Sequence, residues 1–354
     1  MRWDLYCRVV DNFGDAGVAW RLAVDLAQRG ARVRLRIDDA RSLAWMAPDG
    51  APGVEVGAWD DAAATPPDVV IELFGGGLPA ATKEAAAETA GSIVLNLEHL
   101  SAEPYVERSH GLPSPASLPS GLALTTWFFY PGFAPGTGGL LREQDLPERQ
   151  ARFDPMRWLA THRVEGSRDE RRVSLFCYPN EALPELLQAL AHEPTRLLLT
   201  AGPATQQVSH RLGRGLALER LRAVALPALS QLHFDHLLWS CGLNFVRGED
   251  SLVRAVWAGV PFVWQLYPQA DGAHAAKLEA FLDLYLDGAD AVLANELRFV
   301  FRRWNGIERS DRRLRLPDPT PGAPWHRLCA AWCDTLASRT DLTSSLLEFV
   351  ESKR

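Results

Sequence analysis

Cysteine is sparse and unpaired in this 354-residue chain: Cys7, Cys177, Cys241, Cys329 and Cys333 include no Cys-x-x-Cys spacing. Neither a disulfide framework nor a zinc ribbon is expected from them. No apolar run reaches the roughly 18 residues that a membrane helix needs, so no membrane partner is expected. The opening MRWDLYCRVV carries charge within its first four residues and lacks the apolar core of a signal peptide. A reducing cytoplasm is the expected compartment. Basic residues are not in excess, with 37 Lys and Arg against 44 Asp and Glu and a net charge of −7. That balance excludes a nucleic-acid protein working by broad phosphate neutralisation. A small anion can still bind at a helix N-terminus without net positive charge. No Gly-x-Gly-x-x-Gly occurs, which speaks against a dinucleotide cofactor. No Asp-x-Asp occurs either, which weakens the case for a carboxylate-held divalent ion at a nucleotide-sugar diphosphate. His233 and His236 stand three apart with no third ligand to make a metal site. There is no short-period repeat and no low-complexity tract.

What is present is ordinary globular composition, 47% hydrophobic and 23% charged, at a length that favours two domains. Residues 3–10 read as a buried strand, 17–30 as an amphipathic helix and 32–37 as a second strand. This is a βαβ opening, the mark of a parallel sheet covered by helices. Strands are expected at 54–58, 68–74, 92–97 and 122–130, with a helix over 79–90. Two breaks follow, a Gly- and Pro-rich stretch at 131–152 and a charged one at 163–172. A second alternating set then runs through strands 173–178, 196–202, 243–248 and 261–267 and helices 181–192, 230–240 and 250–258. Helices dominate the end, at 272–286, 290–304, 323–338 and 342–352. The fold class is α/β: two Rossmann-like domains facing a cleft, residues 1–155 and 156–354, with a helical C-terminus whose last helices return to the first domain. Ligands in such folds sit beyond the carboxyl ends of the strands.

Two loops there carry chemistry. Asp11-Asn12-Phe13-Gly14-Asp15 follows the first strand and opens a helix. Its two carboxylates repel a pyrophosphate and suit a cationic or hydroxylic substrate, or general-base work. The competing reading is that Asp15 caps the helix and Asp11 ends the strand. Arg247-Gly248-Glu249-Asp250-Ser251 also joins a strand to a helix. Its free N–H groups suit a diphosphate, and Ser251 adds a hydroxyl. A capping box with acidic residues favouring the helix dipole explains the same letters. Phe176 and Tyr178, two apart on a strand, share a face and suit either base stacking or core packing. Gly75, Gly76 and Gly77 read as a tight turn.

Three blocks together resemble one family. They are CRVVDNFGDAGVAWRLA, LFCYPN and LNFVRGEDSLVRAVWAGVPFVWQLYPQ. The family is the bacterial protein-arginine rhamnosyltransferases that act on translation elongation factor P. The resemblance implies a GT-B fold with the acceptor held by the N-terminal domain and the nucleotide sugar by the C-terminal one. It implies inverting transfer of rhamnose from dTDP-β-L-rhamnose to one arginine of elongation factor P, which relieves ribosomes stalled at proline runs. By the same resemblance Asp15 is the general base and Asp11 its companion. Glu249, Asp250 and Ser251 contact the rhamnose and the diphosphate, and Glu249 joins the catalytic set. Phe176 and Tyr178 lie near the thymine, and Gln231 lies on the base and ribose side. Where family members often carry Phe, this chain has Ala228. No cofactor and no metal is expected. The alternative is another GT-B glycosyltransferase with a different nucleotide sugar and a non-protein acceptor.

Overall fold

A computed structural model describes residues 1–354 except 12, 62–65, 168 and 269–271. Asn12 of the first loop, Arg168 of the charged break and Gln269 at the end of the third block therefore lie outside the described residues. The chain forms two compact units, Met1–Leu146 with Leu336–Arg354, and Pro147–Thr335.

The first half runs β1 (Arg2–Cys7), α1 (Gly14–Gln28), β2 (Arg32–Ile37), α2 (Leu43–Met46), β3 (Val54–Ala58), β4 (Val69–Leu73), α3 (Ala80–Glu88), β5 (Ile93–Leu97), α4 (Tyr105–Ser109), β6 (Pro113–Ser117) and β7 (Ala123–Phe129). Its seven-stranded sheet has the order β3-β2-β1-β4-β5-β7-β6. All neighbours are parallel except β6 on β7. The sequence gives little sign of β6, because PSPAS is polar and proline-rich. Such a segment is tolerated only at a sheet edge, which is where it lies.

The second half follows with α5 (Leu146–Ala151), α6 (Pro155–Thr161), β8 (Arg171–Leu175), α7 (Leu183–Ala191), β9 (Thr195–Leu199), α8 (Pro203–Leu212), β10 (Ala217–Leu218), β11 (Leu221–Ala225), α9 (Gln231–Trp239), β12 (Leu243–Arg247), α10 (Gly248–Ala258), β13 (Phe262–Gln265), α11 (Ala273–Tyr285), α12 (Ala291–Trp304), α13 (Pro324–Ala337) and α14 (Leu342–Ser352). Its six-stranded sheet has the order β10-β11-β9-β8-β12-β13, parallel except for β10. In both sheets the first strand lies in the middle and the chain reverses direction beside it, the doubly wound Rossmann arrangement. The unpredicted α8 buries only Ala204 and Val208, so its apolar stripe is thin. Arg171 and Arg172 open β8, so the strand begins inside the 163–172 stretch that reads as a charged break in the sequence.

The unit boundary falls between Leu146 and Pro147 rather than at 155/156. The reason is packing: Trp158 and Leu159 of α6 bury against Leu198, Leu226 and Leu237 of the second unit. The chain then leaves that unit at Leu336, and Leu342, Leu346 and Val350 of α14 join the core of the first. That core is built on Trp3, Leu5 and Cys7 of β1 and on Ala19, Leu22, Ala23 and Leu26 of α1, whose three- and four-residue spacing points one helix face at the sheet. Among the described residues no helix is long and apolar enough to cross a membrane.

Candidate functional site

In the first unit, β1 ends at Cys7 and the chain crosses the carboxyl edge of the sheet before α1 begins. The Gly14 N–H donates to the Asp11 carbonyl at 2.7 Å, closing a turn. Asp11 folds its carboxylate over Gly14, where an added Cβ would lie 2.9 Å from Asp11 Oδ2. The cap position of α1 is Phe13, with no side-chain cap, so Asp15 does not cap the helix from outside. It sits inside the first turn and reaches back. Its Oδ2 accepts from the Val10 N–H at 2.8 Å and the Asp11 N–H at 3.0 Å. Both bonds fall on one oxygen, so Oδ1 takes no part in them.

Asp15 is 7% exposed. Burial pushes its carboxyl above the usual range, and the two backbone donors pull back; nearby His99 also lowers it, and Asp11 raises it. The result is a fixed carboxylate with more appetite for a proton than a surface aspartate. Beyond the neighbouring strands lie Phe74 and His99, whose rings stack at 4.7 Å, and Glu98, whose carboxyl is also raised by burial.

In the second unit the loops leave β8 and β12 at the same sheet edge, because those strands are parallel neighbours. Phe176 and Tyr178 lie just past the end of β8, not within it. Their rings do share a face, and Arg247 occupies it. Its guanidinium carbon stands 4.5 Å from the Phe176 ring centre and 4.3 Å from that of Tyr178. Edge-on contacts with Phe234 and Tyr267 hold the two rings in turn. Arg247 is 8% exposed, and nothing in its sequence motif marks it for this position.

Glu249, Asp250 and Ser251 fall in the first turn of α10. Glu249 is paired with Lys277 of α11 at 2.9 Å. Nothing local in the sequence announces Lys277, which lies 28 residues away. The Ser251 hydroxyl is buried and donates to the Arg247 carbonyl while accepting from the Arg247 N–H at 3.0 Å. It therefore shapes the loop instead of pointing out of it. Gln231 is the first residue of α9, beside its cap Ser230, and is buried. Ala228, just before that helix, is exposed and brings no ring. Behind the loop, Arg254 of α10 makes a doubly hydrogen-bonded pair with Asp235 of α9 at 2.9 and 2.8 Å, both side chains buried. That pair locks α9 to α10 and so fixes Gln231 relative to the Glu249 turn.

The structure thus brings Asp11 and Asp15 together in one unit and gathers Phe176, Tyr178, Glu249, Asp250 and Ser251 around Arg247 and α10 in the other. The first group suits a cation. The second offers a helix start with Arg247 and Lys277, which suits an anion such as a diphosphate. His162 joins His233 and His236 in an aromatic cluster. The Trp158 indole donates to His233 Nδ1 at 2.9 Å. Among the described residues no group of His, Cys, Asp and Glu is arranged to hold a metal ion.

A model of the family described as elongation-factor P (EF-P) rhamnosyltransferase EarP matches residues 3–351. A protein-arginine rhamnosyltransferase of Pseudomonas aeruginosa is 41% identical over 98% of each chain, and one of Pseudomonas putida is 43% identical over 98% of each. A solved structure described as the structural basis for EarP-mediated arginine glycosylation of translation elongation factor EF-P superposes with a TM-score of 0.68 at 30% identity, covering 99% of both chains. The glycosyltransferase VinC in complex with dTDP superposes with a TM-score of 0.51 at 16% identity, a likeness of fold alone.

Proposed function

The chain belongs to the EarP family of elongation-factor P rhamnosyltransferases, and we propose that it moves rhamnose from dTDP-β-L-rhamnose to one arginine of elongation factor P, inverting the anomeric centre. The observation that carries this reading is the division of charge between the two sites: buried carboxylate in the first unit, cations at a helix start in the second.

The acceptor guanidinium is protonated at any working pH and has no spare lone pair. No carboxylate removes its proton outright. Asp11 and Asp15 instead grip it through charge-assisted hydrogen bonds and align one nitrogen with the anomeric carbon. As the C–N bond forms, the nitrogen loses a proton to Asp15, whose raised affinity for a proton favours the transfer. The anomeric C–O bond breaks on the opposite face, and its electron pair leaves with dTDP. The charge that develops there meets the N-terminal end of the α10 dipole, Arg247 and Lys277. These groups do the work that a divalent ion does in other glycosyltransferases, so metal-independent transfer follows. Glu249, held by Lys277, and Asp250 meet the sugar hydroxyls, and Ser251 keeps the loop in shape. Phe176, Tyr178 and Gln231 form the wall toward the base and ribose.

Intact-protein mass spectrometry tests this directly. The protein is mixed with unmodified elongation factor P and dTDP-β-L-rhamnose in the presence of EDTA. One deoxyhexose increment is expected, absent when the factor's loop arginine is changed to lysine. Loss of the increment with EDTA and its return with magnesium would overturn the metal-independent step. No increment under either condition, with UDP rather than dTDP raising the melting temperature, would favour a different donor.

A further inference from the structure

The loop after β4, Phe74-Gly75-Gly76-Gly77, puts a bulky residue where a glycine belongs. Phe74 has φ of +58°, in the left-handed region, and Gly75 and Gly77 follow at +63° and +84°. A non-glycine residue persists there only when its surroundings over-determine it. Here they do. The Phe74 N–H donates to the Leu97 carbonyl at 2.7 Å, Gly75 N–H to Asn96 Oδ1 at 3.3 Å, and Gly77 N–H to Glu72 Oε1 at 2.8 Å. What this costly backbone achieves is the placement of a ring. Phe74 lies flat against the exposed imidazole of His99, centres 4.7 Å apart and planes 16° from parallel.

The same network fixes a carboxylate. Asn96, which accepts from the Gly75 N–H, donates through Nδ2 to Glu98 Oε1 at 2.8 Å. Glu98 is half-buried, just beyond the end of β5. His99 is close enough to act electrostatically on both Glu98 and Asp15. β1, β4 and β5 are adjacent and parallel, so the loops carrying Asp15, Phe74 and Glu98 leave the sheet along one edge.

We propose, on the reading that this unit takes an arginine acceptor, that the Phe74–His99 stack is a flat platform for the acceptor guanidinium and that Glu98 is a second carboxylate gripping it. A guanidinium is planar and weakly hydrated, and it stacks on aromatic faces. A platform fixes its plane, and a carboxylate on one edge fixes its rotation within that plane. Together they decide which nitrogen meets the anomeric carbon. Asp15 is then left to take the proton while Glu98 only orients. An amine such as lysine gains little from a flat face, so the platform also contributes to selection for arginine.

The test compares the wild-type protein with Glu98→Gln, Phe74→Gly and Phe74→Tyr. Glu98→Gln keeps the acceptor for Asn96, and Phe74→Gly relieves the positive φ, so both fold. Stabilisation by dTDP serves as the check on fold and donor binding. Glu98→Gln and Phe74→Gly are each expected to raise KM for the protein acceptor roughly tenfold or more, the loss of one charge-assisted contact. Stabilisation by dTDP should be unchanged, and Phe74→Tyr should restore the wild-type KM. A wild-type acceptor KM in either Glu98→Gln or Phe74→Gly overturns the platform. Failure of the wild-type protein to transfer rhamnose at all would sink the proposed function instead, a separate result.

Discussion

Burying a carboxylate costs stability, and Asp15 bears that cost inside the first turn of α1. Its folded state disfavours the charged form because desolvation outweighs the two backbone donors. The sign follows: with the folded pKa above the unfolded one, this group's contribution to stability is favourable at low pH and is lost as pH rises through the folded pKa. At neutral pH, therefore, Asp15→Asn removes a penalty. The variant is expected to melt at the same temperature or higher, with dTDP binding intact. Its rate of transfer should fall by about 10²–10⁴, the usual contribution of a general base. Near-normal turnover in Asp15→Asn would remove it as the base. The wild-type rate should decline on the acid side as Asp15 gains its proton, with a midpoint above the ordinary aspartate range. A midpoint at or below that range would show that another group takes the proton. Asp11 and Asp15 were legible in the sequence because strand, loop and helix are contiguous there. Arg247 was legible only as a letter, since its two ring partners follow the neighbouring strand β8, far earlier in the chain.

At the level of elements, the junction of β1 and α1 depends on close approach. Asp11 rests on Gly14, and any Cβ there collides with its carboxylate. Gly14→Ala is expected to leave the helix in place, since alanine is the better helix former by about 1 kcal/mol. It should push Asp11 aside and lower transfer at least severalfold while sparing dTDP binding. Unchanged kcat/KM in this variant would mean that the position of Asp11 does not matter. The corresponding element in the second unit is the α9–α10 pair, clamped by Asp235 and Arg254. Neither residue carried a signal in the sequence, because each looks like an ordinary charge on a helix. Two of the elements missed from the sequence, α8 and β6, have weak or absent apolar periodicity. Long, strongly patterned α1 and α10 were read correctly for the opposite reason.

Over the whole molecule, charge is divided unevenly. The first unit holds 14 Lys and Arg against 22 Asp and Glu, and the second 23 against 22. On the proposed function, an acidic first unit favours the approach of a cationic acceptor side chain. That unit also depends on the end of the chain, since Leu346 of α14 is wholly buried in its core. Leu346→Ala is expected to cost about 2–5 kcal/mol, seen in limited proteolysis as early cuts in residues 1–146. Early cuts confined to 147–335 would show that α14 does not support the first unit. The sequence by itself determined the two successive α/β sets, the helical end and the position of the Asp11–Asp15 and Arg247–Ser251 loops at the strand ends. Those features rest on local periodicity and on the rule that parallel strands release their loops at one edge. Tertiary structure alone decided that Phe176 and Tyr178 enclose Arg247, that Glu249 pairs with Lys277, and that Phe74 stacks on His99 beside Asp15. Each of these contacts joins residues far apart in the chain, and no short pattern encodes a meeting that only the packing of whole elements brings about.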